Sequence, residues 1–249
     1  MTTPLGPVQR YEHLDSTNEE ALRLLAAGQA PHGLVLVATE QAAGRGRRGA
    51  RWHSAPGEGL YMTAIWRPPA GLAAPLLTMA TGLGVYEGLA TLGAPGLALK
   101  WPNDLLHGPA KLAGILVETR GMDPAHPAYA VGIGVNVGQA GFPGWLTGER
   151  PVTSLRILGL EVTPDQVLEA LCRSLPPRWQ QAEQDPESLS ADYLAATGLA
   201  GRQVRCEAGD RVLEARLVGL TVPGGLELET GDGQLERIAL EWVRALTAL

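Results

Sequence analysis

Lysine is nearly absent from this 249-residue chain: it occurs at Lys100 and Lys111, and the other eighteen basic residues are arginine. Abundant Ala, Gly, Pro and Arg indicate a G+C-rich genome, which favours arginine codons. A retained lysine is therefore a weak hint of chemical need. Both lysines lie in the segment KWPNDLLHGPAKLAGIL, but two lysines could fall this close by chance, so the spacing alone decides nothing.

Cysteine and histidine are also scarce. Cys172 and Cys206 stand alone with no C-x-x-C pair, and the five histidines are scattered with no H-E-x-x-H motif. This pattern fits a reducing cytosol and argues against a disulfide scaffold, a zinc site or a metallohydrolase.

The chain lacks both a net basic charge and a clean apolar run. Its formal charge is −6, which disfavours a dedicated nucleic-acid binder. The N-terminus MTTPLGPVQRYEHLD is polar and broken by proline, which is unlike a signal peptide. Between Arg67 and Lys100 the only charge is Glu87, but Pro, Gly and Thr interrupt this stretch, which predicts a buried helix. We therefore expect a cytoplasmic protein that binds neither nucleic acid nor membrane.

The hydrophobic content of 45% is enough for a sizeable core, and the patterns up to about residue 198 predict a mixture of helices and strands. The segment DSTNEEALRLLAAG predicts a helix capped by Ser16 or Thr17, with a capping box from Ser16 to Glu19 and a stop at Gly28. Further helices are predicted over APLLTMATGLGVYEGLATLG, with Leu76, Met79, Leu83 and Tyr86 on one face, and near 164–180 and 187–197. Strands are predicted over GLVLVATEQ, LYMTAIW, LALKW, KLAGILVET and AYAVGIGVNV.

The sequence pattern changes after Gly198, where short segments of alternating apolar and polar residues are separated by Gly-Asp and Pro-Gly-Gly turns. This is typical of a small β-barrel. We therefore predict two domains, residues 1–198 and 199–249, and expect the barrel to dock on the core through Trp242 and Leu246.

The loop GRGRRGARWH is rich in glycine and arginine. Its glycines expose backbone amides, and four arginines add fixed charge, which together suit a polyphosphate. A solvated basic loop is the alternative. The spacing matches neither a P-loop nor a dinucleotide-binding G-x-G-x-x-G motif.

Polar residues follow the predicted strand LALKW. Asn103 can donate and accept hydrogen bonds, and Asp104 can orient a neighbour or hold magnesium through water, although an Asx-type turn explains both. Lys111 begins an apolar strand whose packing needs no charge, and an edge lysine is the alternative there. Gly114 on the same strand indicates that something must approach closely.

Three residues of GIGVNV, namely Gly132, Gly134 and Asn136, share one strand face because side chains alternate. They would form a floor for a flat ligand. Tight packing of strand on helix is the alternative, and it explains the glycines but not Asn136.

Taken in order, DSTN, TEQAAGRGRRG, KWPNDLL, KLAGILVE and GIGVNV resemble the biotin–protein ligases, densely over residues 10–140 and loosely at the C-terminus. The resemblance implies an α+β fold: a mixed β-sheet catalytic core of the class II synthetase/biotin–lipoate ligase type with flanking helices, plus a small C-terminal SH3-like β-barrel. One position departs from the family pattern. Ala50 stands where relatives commonly carry a basic residue, and Arg51 follows it.

The resemblance further implies a ligase that makes biotinyl-5′-AMP from biotin and ATP with Mg²⁺, then transfers biotin to a lysine of a biotin carboxyl carrier domain of a carboxylase. About fourteen residues precede Asp15, too few for the helix-turn-helix of regulatory family members, so we expect no DNA binding. A homodimer is left open.

The resemblance also assigns residues. Lys111 and Arg47 are expected to be catalytic, while Lys100 has no clear role and the metal position is unknown, with Asp104 nearby. Biotin binding is expected from Ser16, Thr17, Gln41, Gly44, Arg45, Arg47, Lys111, Gly114 and Gly132. ATP binding is expected from Arg47, Arg48, Arg51, Trp52, Asn103, Lys111 and Asn136.

Two alternatives remain at this point. A lipoate–protein ligase shares the fold and the adenylate chemistry, but its Arg-rich Ser-Gly-Gly-Gly stretch is absent here. A non-catalytic module could grip an anionic partner through the Arg-rich loop. We expect Lys100 and Lys111 to be buried together among apolar residues, and that arrangement argues against a non-catalytic module.

Overall fold

A seven-stranded mixed sheet underlies the computed structural model, which describes residues 5–121, 123 and 125–249. Its strand order is β1-β2-β3-β7-β6-β5-β4, with β1 and β2 parallel and the other neighbours antiparallel. The strands are β1 Val8–Leu14, β2 Val35–Gln41, β3 Gly59–Trp66, β4 Leu97–Lys100, β5 Asp104–His107, β6 Ala110–Glu118 and β7 Tyr129–Asn136. The central strands β3 and β7 are almost wholly buried, which explains their near-continuous apolar sequences.

The five strands predicted in this part of the chain are confirmed, but β1 and β5 were not predicted. The strand β5 pairs with both β4 and β6. Asp104 therefore opens a strand, whereas the Asx-type turn was the alternative that the sequence left open. Lys111 lies on β6, which has a neighbour on each side, so the edge-lysine alternative is wrong.

The described residues also form five α-helices: α1 Thr17–Ala26, α2 Ala74–Thr91, α3 Gly144–Glu149, α4 Pro164–Gln184 and α5 Pro186–Thr197. Helix α3 was not predicted. The predicted capping box is wrong, because the Ser16 side chain makes no cap hydrogen bond. The backbone N–H of Ser16 donates to Asp15 Oδ1 at 2.7 Å. Gly28, with φ of 69°, lies just past the end of α1 as expected.

Helices α2 and α4 pack closely on one another. A Cβ on Gly84 would lie 2.8 Å from Leu175 Cδ2 and 3.0 Å from Leu175 Cα, so only glycine lets the helices approach this far. The fully buried Trp179 donates to Thr81 Oγ1 at 2.9 Å and packs on Trp66 with ring centroids 4.6 Å apart. The predicted apolar face of α2 is confirmed by burial of Leu76, Met79 and Leu83, with Tyr86 half-buried.

The C-terminal residues form a second, antiparallel sheet. Its order is β11-β10-β9-β8-β12, so β11 and β12 stand at the two edges. The strands are β8 Gln203–Ala208, β9 Arg211–Thr221, β10 Gly225–Glu229, β11 Leu235–Ile238 and β12 Val243–Ala248. The short alternating strands are thus confirmed, while closure into a barrel stays a prediction.

The second sheet joins the first through buried side chains. The Trp101 indole N–H donates to the Val243 carbonyl at 3.0 Å, and Leu246 is buried in an apolar core that runs without a break from the first sheet into the second. The expected docking through Trp242 is wrong, because this residue lies in a short 3₁₀ turn and is 62% exposed.

We propose a domain division after α5, since Gly198 ends that helix in the left-handed conformation with φ of 66°. Among the described residues, no helix combines the length and apolar character that crossing a bilayer requires.

Candidate active site

A cavity of about 130 Å³ opens over β6 and β7, between the start of α1 and the Arg-rich loop 44–51. The predicted site residues that line it are Ser16, Thr17, Gln41, Arg45, Arg47, Arg51, Trp52, Asn103, Lys111, Gly114 and Gly132, together with Asp104. The structure therefore brings together residues from opposite ends of the catalytic core sequence.

One end of the cavity is built from neutral polar groups. Gln41 Oε1 accepts from the Thr17 N–H at 2.8 Å and from the Thr17 hydroxyl at 3.1 Å, while Gln41 Nε2 donates to Ser54 Oγ at 2.9 Å. Ser16 and Thr17 are both buried. These hydroxyl and amide groups can donate to and accept from a neutral polar ligand group such as a urea.

Asn18, which we did not assign to the site, lies under this end of the cavity. Its amide accepts from Thr63 Oγ1 at 2.6 Å and donates to the Leu116 carbonyl at 3.1 Å. A Cβ on Gly132 would collide with the Asn18 side chain. The expectation that Gly132 leaves room for a ligand is therefore corrected, because Asn18 occupies that space.

The ring of Trp52 covers the glycine floor. A Cβ on Gly134 would collide with the indole, and one on Gly114 would lie 2.9 Å from Trp52 Cζ3. The glycines of β6 and β7 thus make room for a protein side chain. The exposed part of the Trp52 ring faces the cavity and offers a flat surface for stacking.

Lys111 stands at the charged end of the cavity. It is 8% exposed, forms an ion pair with Asp104, and lies with Nζ 5.4 Å from the centroid of the Trp52 ring. Burial lowers the pKa of Lys111, and the neighbouring Asp104 carboxylate opposes that shift. A compact cation is thus held ready for an anion.

Lys100 does not accompany Lys111. It is exposed at the end of β4 and lines none of the cavities described here. The expected burial of both lysines is wrong, and with it the argument that we based on the pair against a non-catalytic module. Lys100 lies close enough to lower the pKa of Lys111, but less than burial does.

Arg45 is held by carboxylates. Its guanidinium pairs with Glu19, and its Nη2 donates to Glu118 Oε1 at 2.9 Å. The other Glu118 oxygen accepts from Asn18 Nδ2 at 2.9 Å. The charge of Arg45 is thereby compensated within the protein, which fits a role in fastening the loop better than direct contact with an anion.

The other loop arginines carry uncompensated charge. Within the described part of the chain, Arg47, Arg48 and Arg51 form no ion pair with a carboxylate. Desolvation and the neighbouring Arg48 lower the pKa of Arg47. Arg47 and Arg51 line the cavity, whereas Arg48, whose φ is 55°, faces a second cavity toward the C-terminal sheet.

Two further predicted residues lie outside the cavity. Asn136 Nδ2 donates to the Thr153 carbonyl at 2.9 Å beside a smaller cavity behind Trp52. A Cβ on Gly44 would lie 2.6 Å from the Trp52 carbonyl, so this glycine lets the loop close on itself. Asn103 does line the cavity, and its Nδ2 also donates to the Ile115 carbonyl at 2.8 Å.

Several lining residues were missed. Tyr61 lies opposite Gly134 in the β3–β7 register, and that register could not be read from separate strands. Arg150 follows the unpredicted helix α3 in a segment with no motif. The other lining residues that were not assigned to the site are Asn18, Gly46, Ala50, Met62, Ile115, Leu116 and Ile133, whereas Gly134 had been predicted as part of the glycine floor.

The donor atoms do not form a metal cage. Within the described residues, no group of three or more His, Cys, Asp or Glu side chains could hold an ion. Asp104 is the one carboxylate among the cavity's lining residues, and it already lies between Lys111 and Arg150. Magnesium commonly binds through substrate phosphates with few protein ligands, so this donor set suits an ion that enters with a nucleotide.

Comparison with known proteins gives a consistent set of matches. The model of the Biotin/lipoate A/B protein ligase family matches residues 11–136. The biotin–[acetyl-CoA-carboxylase] ligase of Paracoccus denitrificans is 44% identical over 228 residues, which cover 88% of this chain and 93% of that protein.

Two further relatives extend the comparison. The bifunctional ligase/repressor BirA of Escherichia coli strain K12 is 33% identical over 235 residues, covering 90% of this chain and 70% of that protein. The solved biotin protein ligase from Aquifex aeolicus in complex with biotin and ATP superposes with a TM-score of 0.81 at 27% identity, over 97% of this chain and 99% of that one.

Proposed function

This chain belongs to the Biotin/lipoate A/B protein ligase family, and we propose that within this family it is a biotin–protein ligase. It joins biotin to ATP as biotinyl-5′-AMP and then transfers biotin to a lysine of a biotin carboxyl carrier domain. The observation that carries the proposal is a single cavity with neutral polar groups at one end and Lys111, Arg47 and Arg51 at the other.

The neutral end suits the biotin ring system. Thr17 donates two hydrogen bonds to Gln41 Oε1 there, and a ureido group offers N–H donors and a carbonyl acceptor to the same kinds of group. Biotin is otherwise largely apolar, and Met62, Ile115 and Leu116 supply apolar lining. The biotin carboxylate would then lie toward Lys111.

In the first step a biotin carboxylate oxygen attacks the α-phosphorus of ATP. The bond from the α-phosphorus to its bridging oxygen breaks, and pyrophosphate leaves with that electron pair. Lys111 and Arg47 stabilise the negative charge that spreads over the phosphate oxygens, since fixed cations act strongly at a poorly hydrated site. The Trp52 ring offers a face to the adenine. Magnesium enters with ATP as part of the substrate, and a contact with Asp104 stays a prediction.

In the second step the amine of an acceptor lysine attacks the acyl carbon of the mixed anhydride. AMP departs, an amide forms, and the amine loses its proton. The acceptor must therefore approach the cavity mouth, where the Arg-rich loop lies. The name of the Paracoccus denitrificans relative supports an acetyl-CoA carboxylase carrier domain as the acceptor. A cytoplasmic location stays a prediction.

The test is pyrophosphate release from ATP on addition of biotin, with lipoate as the matched substrate control. Transfer is then followed by the mass of a purified carrier domain and of the same domain with its target lysine replaced by arginine. We expect biotin-dependent release and one biotin on the intact domain only. Release driven by lipoate and not by biotin would support the lipoate ligase alternative, and release by neither would contradict ligase activity.

A further inference from the structure

Arg150 is held beside Lys111 by backbone hydrogen bonds. The Lys111 N–H donates to the Pro151 carbonyl at 2.9 Å, and the Thr153 N–H donates to the Lys111 carbonyl at 3.0 Å. Val152 forms a parallel β-bridge with Lys111. The segment 150–153 thus runs along the start of β6, and the position of Arg150 relative to the cavity is set by a strand.

The guanidinium of Arg150 is only loosely engaged. Its Nη1 lies 3.6 Å from Asp104 Oδ2, longer than the 2.7–2.9 Å typical of a charge-assisted hydrogen bond. The side chain is 38% exposed and lines both the main cavity and the smaller one behind Trp52. A guanidinium carries five N–H donors, so most of these are free for an incoming anion.

The charges around Arg150 favour a polyanion. Lys111 and Arg150 flank the single carboxylate of Asp104, and Arg51 lines the same two cavities. This corner therefore carries a net positive charge.

We propose that Arg150 binds the β- and γ-phosphates of ATP and the pyrophosphate that leaves. This role rests on the proposed function. When the bond to the α-phosphorus breaks, negative charge grows on the departing bridging oxygen, and a bidentate guanidinium stabilises it. The transfer step contains no pyrophosphate, so Arg150 has no part in it.

The experiment compares Arg150→Gln and Arg150→Lys with Arg156→Gln. Arg156 lies in the same connecting segment, is exposed, and contacts the Gly138 carbonyl at 3.3 Å away from the cavity. For each variant one measures KM for ATP and for biotin, inhibition by inorganic pyrophosphate, and transfer from purified biotinyl-5′-AMP to the carrier domain.

We expect Arg150→Gln to raise KM for ATP and the inhibition constant of pyrophosphate by about tenfold, the loss expected for one charge-assisted hydrogen bond. KM for biotin and the transfer rate should stay at the wild-type value. Arg150→Lys should recover part of the loss, and Arg156→Gln should behave as wild type.

Other outcomes would overturn the role. An equal rise in KM for biotin and for ATP would show that Arg150 only positions Asp104 and Lys111, and unchanged pyrophosphate inhibition would remove it from the leaving-group site. Should Arg150→Gln fold poorly, Arg150→Lys gives the same split between ATP and biotin. Absence of biotin-dependent pyrophosphate release in the wild-type protein would instead contradict the proposed function.

Discussion

Lys111 is a buried cation whose charge is compensated by a neighbouring carboxylate. Its aliphatic stem lies in the apolar strand β6, and its ammonium pairs with Asp104 beside the Trp52 ring. Removing one partner of a buried ion pair leaves the other charge uncompensated, and that costs more than the pair contributes. The lysine is therefore tied to both stability and chemistry, and the two contributions need to be separated.

Lys111→Ala should abolish adenylation and also lower the free energy of unfolding by about 1–3 kcal/mol, because Asp104 keeps only the longer contact with Arg150. The measurement is thermal unfolding together with biotin-dependent pyrophosphate release. The double variant Lys111→Met with Asp104→Asn should recover most of the stability and none of the activity.

An active Lys111→Met/Asp104→Asn protein would contradict the catalytic role. Lys111→Arg is the matched control for charge. It keeps the positive charge but widens the head group, so we expect weak adenylation with nearly normal stability.

The pKa of Lys111 predicts an alkaline limb in the adenylation rate. Burial holds this pKa below the ordinary value of 10.5. The Lys111 ammonium, whose charge stabilises the phosphate oxygens, therefore loses its proton as pH rises through the lowered pKa. Between that pKa and 10.5 the unfolded chain binds more protons than the folded one, so the free energy of unfolding rises with pH over the same window. Pyrophosphate release measured across pH locates the limb.

Asp104→Asn provides the test of that assignment. Asp104 raises the pKa of Lys111, so its neutralisation should move the limb to lower pH. Arg150→Gln should move it to higher pH, because a neighbouring like charge is removed. A limb that stays in place in both variants would belong to another group.

At the residue scale, residue types were easier to predict than their partners. Lys111 was singled out because the packing of an apolar strand needs no charge, and Gln41 was assigned through the family resemblance. The contacts of Gly132 and Arg45 were misjudged, since Asn18 fills the space over one and two glutamates hold the other. Such pairings join residues far apart in the chain, and no local pattern records them.

At the scale of elements, the Arg-rich loop is fastened to the sheet from one side. Arg45 reaches Glu19 on α1 and Glu118 on β6, while the rest of loop 44–51 contributes uncompensated arginines. The four like charges in the segment 43–53 repel one another, and this repulsion alone would keep the segment mobile until an anion arrives. The structure adds an attractive contact that does not need a ligand.

Glu118→Gln should loosen this attachment. We expect faster hydrogen exchange across 44–51 without ligand and faster release of bound biotinyl-5′-AMP, because one of two carboxylates no longer holds Arg45. Exchange with and without biotin and ATP is the measurement. Glu20→Gln is the control, since Glu20 lies beside Glu19 on α1 but pairs with Arg23. Identical exchange in the two variants would remove the fastening role.

The contact between α2 and α4 allows a clean test of packing. Gly84→Ala would place a methyl group against the Leu175 backbone, so we expect a loss of about 1–3 kcal/mol in the free energy of unfolding. Gly141→Ala is the control, because a Cβ there meets nothing within 4 Å. Thermal unfolding distinguishes them. Equal stability would mean that the two helices shift apart without cost.

The elements that sequence missed are short or polar. Strand β1 is mostly exposed at the edge of the sheet, so its residues show no apolar pattern. Strand β5 has four residues and helix α3 has six, too few to establish a period. The long helices and buried strands were predicted because their apolar patterns extend over many residues, and those patterns are what burial imposes.

At the scale of the whole molecule, the two sheets share one apolar core. Helix α5 packs against β9, and Trp101 bonds to Val243 across the boundary proposed at Gly198. The C-terminal sheet also lines the second cavity together with Arg47 and Arg48. The change in sequence pattern after Gly198 correctly predicted new strands, but it could not reveal that their apolar faces are buried on the core.

Truncation after Gly198 should therefore impair both half-reactions through loss of structure. Each large apolar side chain newly exposed costs about 1.5–3 kcal/mol, and a domain has only about 5–15 kcal/mol of net stability. We expect the fragment 1–198 to lose its near-ultraviolet circular dichroism and its adenylation activity. A folded fragment that performs both steps at full rate would make the C-terminal sheet a passive appendage, and loss of transfer alone would assign it to the acceptor surface.

Unfolding of the intact chain also tests whether the two sheets depend on one another. A continuous core predicts one cooperative unfolding transition by calorimetry, since neither sheet can lose its cover while the other stays native. Trp101→Phe keeps most of the apolar contact but removes the donor to Val243, which should cost about 0.5–1.5 kcal/mol and lower the single Tm. Trp242→Phe is the matched control, because that indole is largely exposed and should leave the Tm unchanged. Two separate transitions in the wild-type chain, with Trp101→Phe shifting only one of them, would mean that the sheets fold independently and that their contact is too weak to couple the C-terminal residues to the active site.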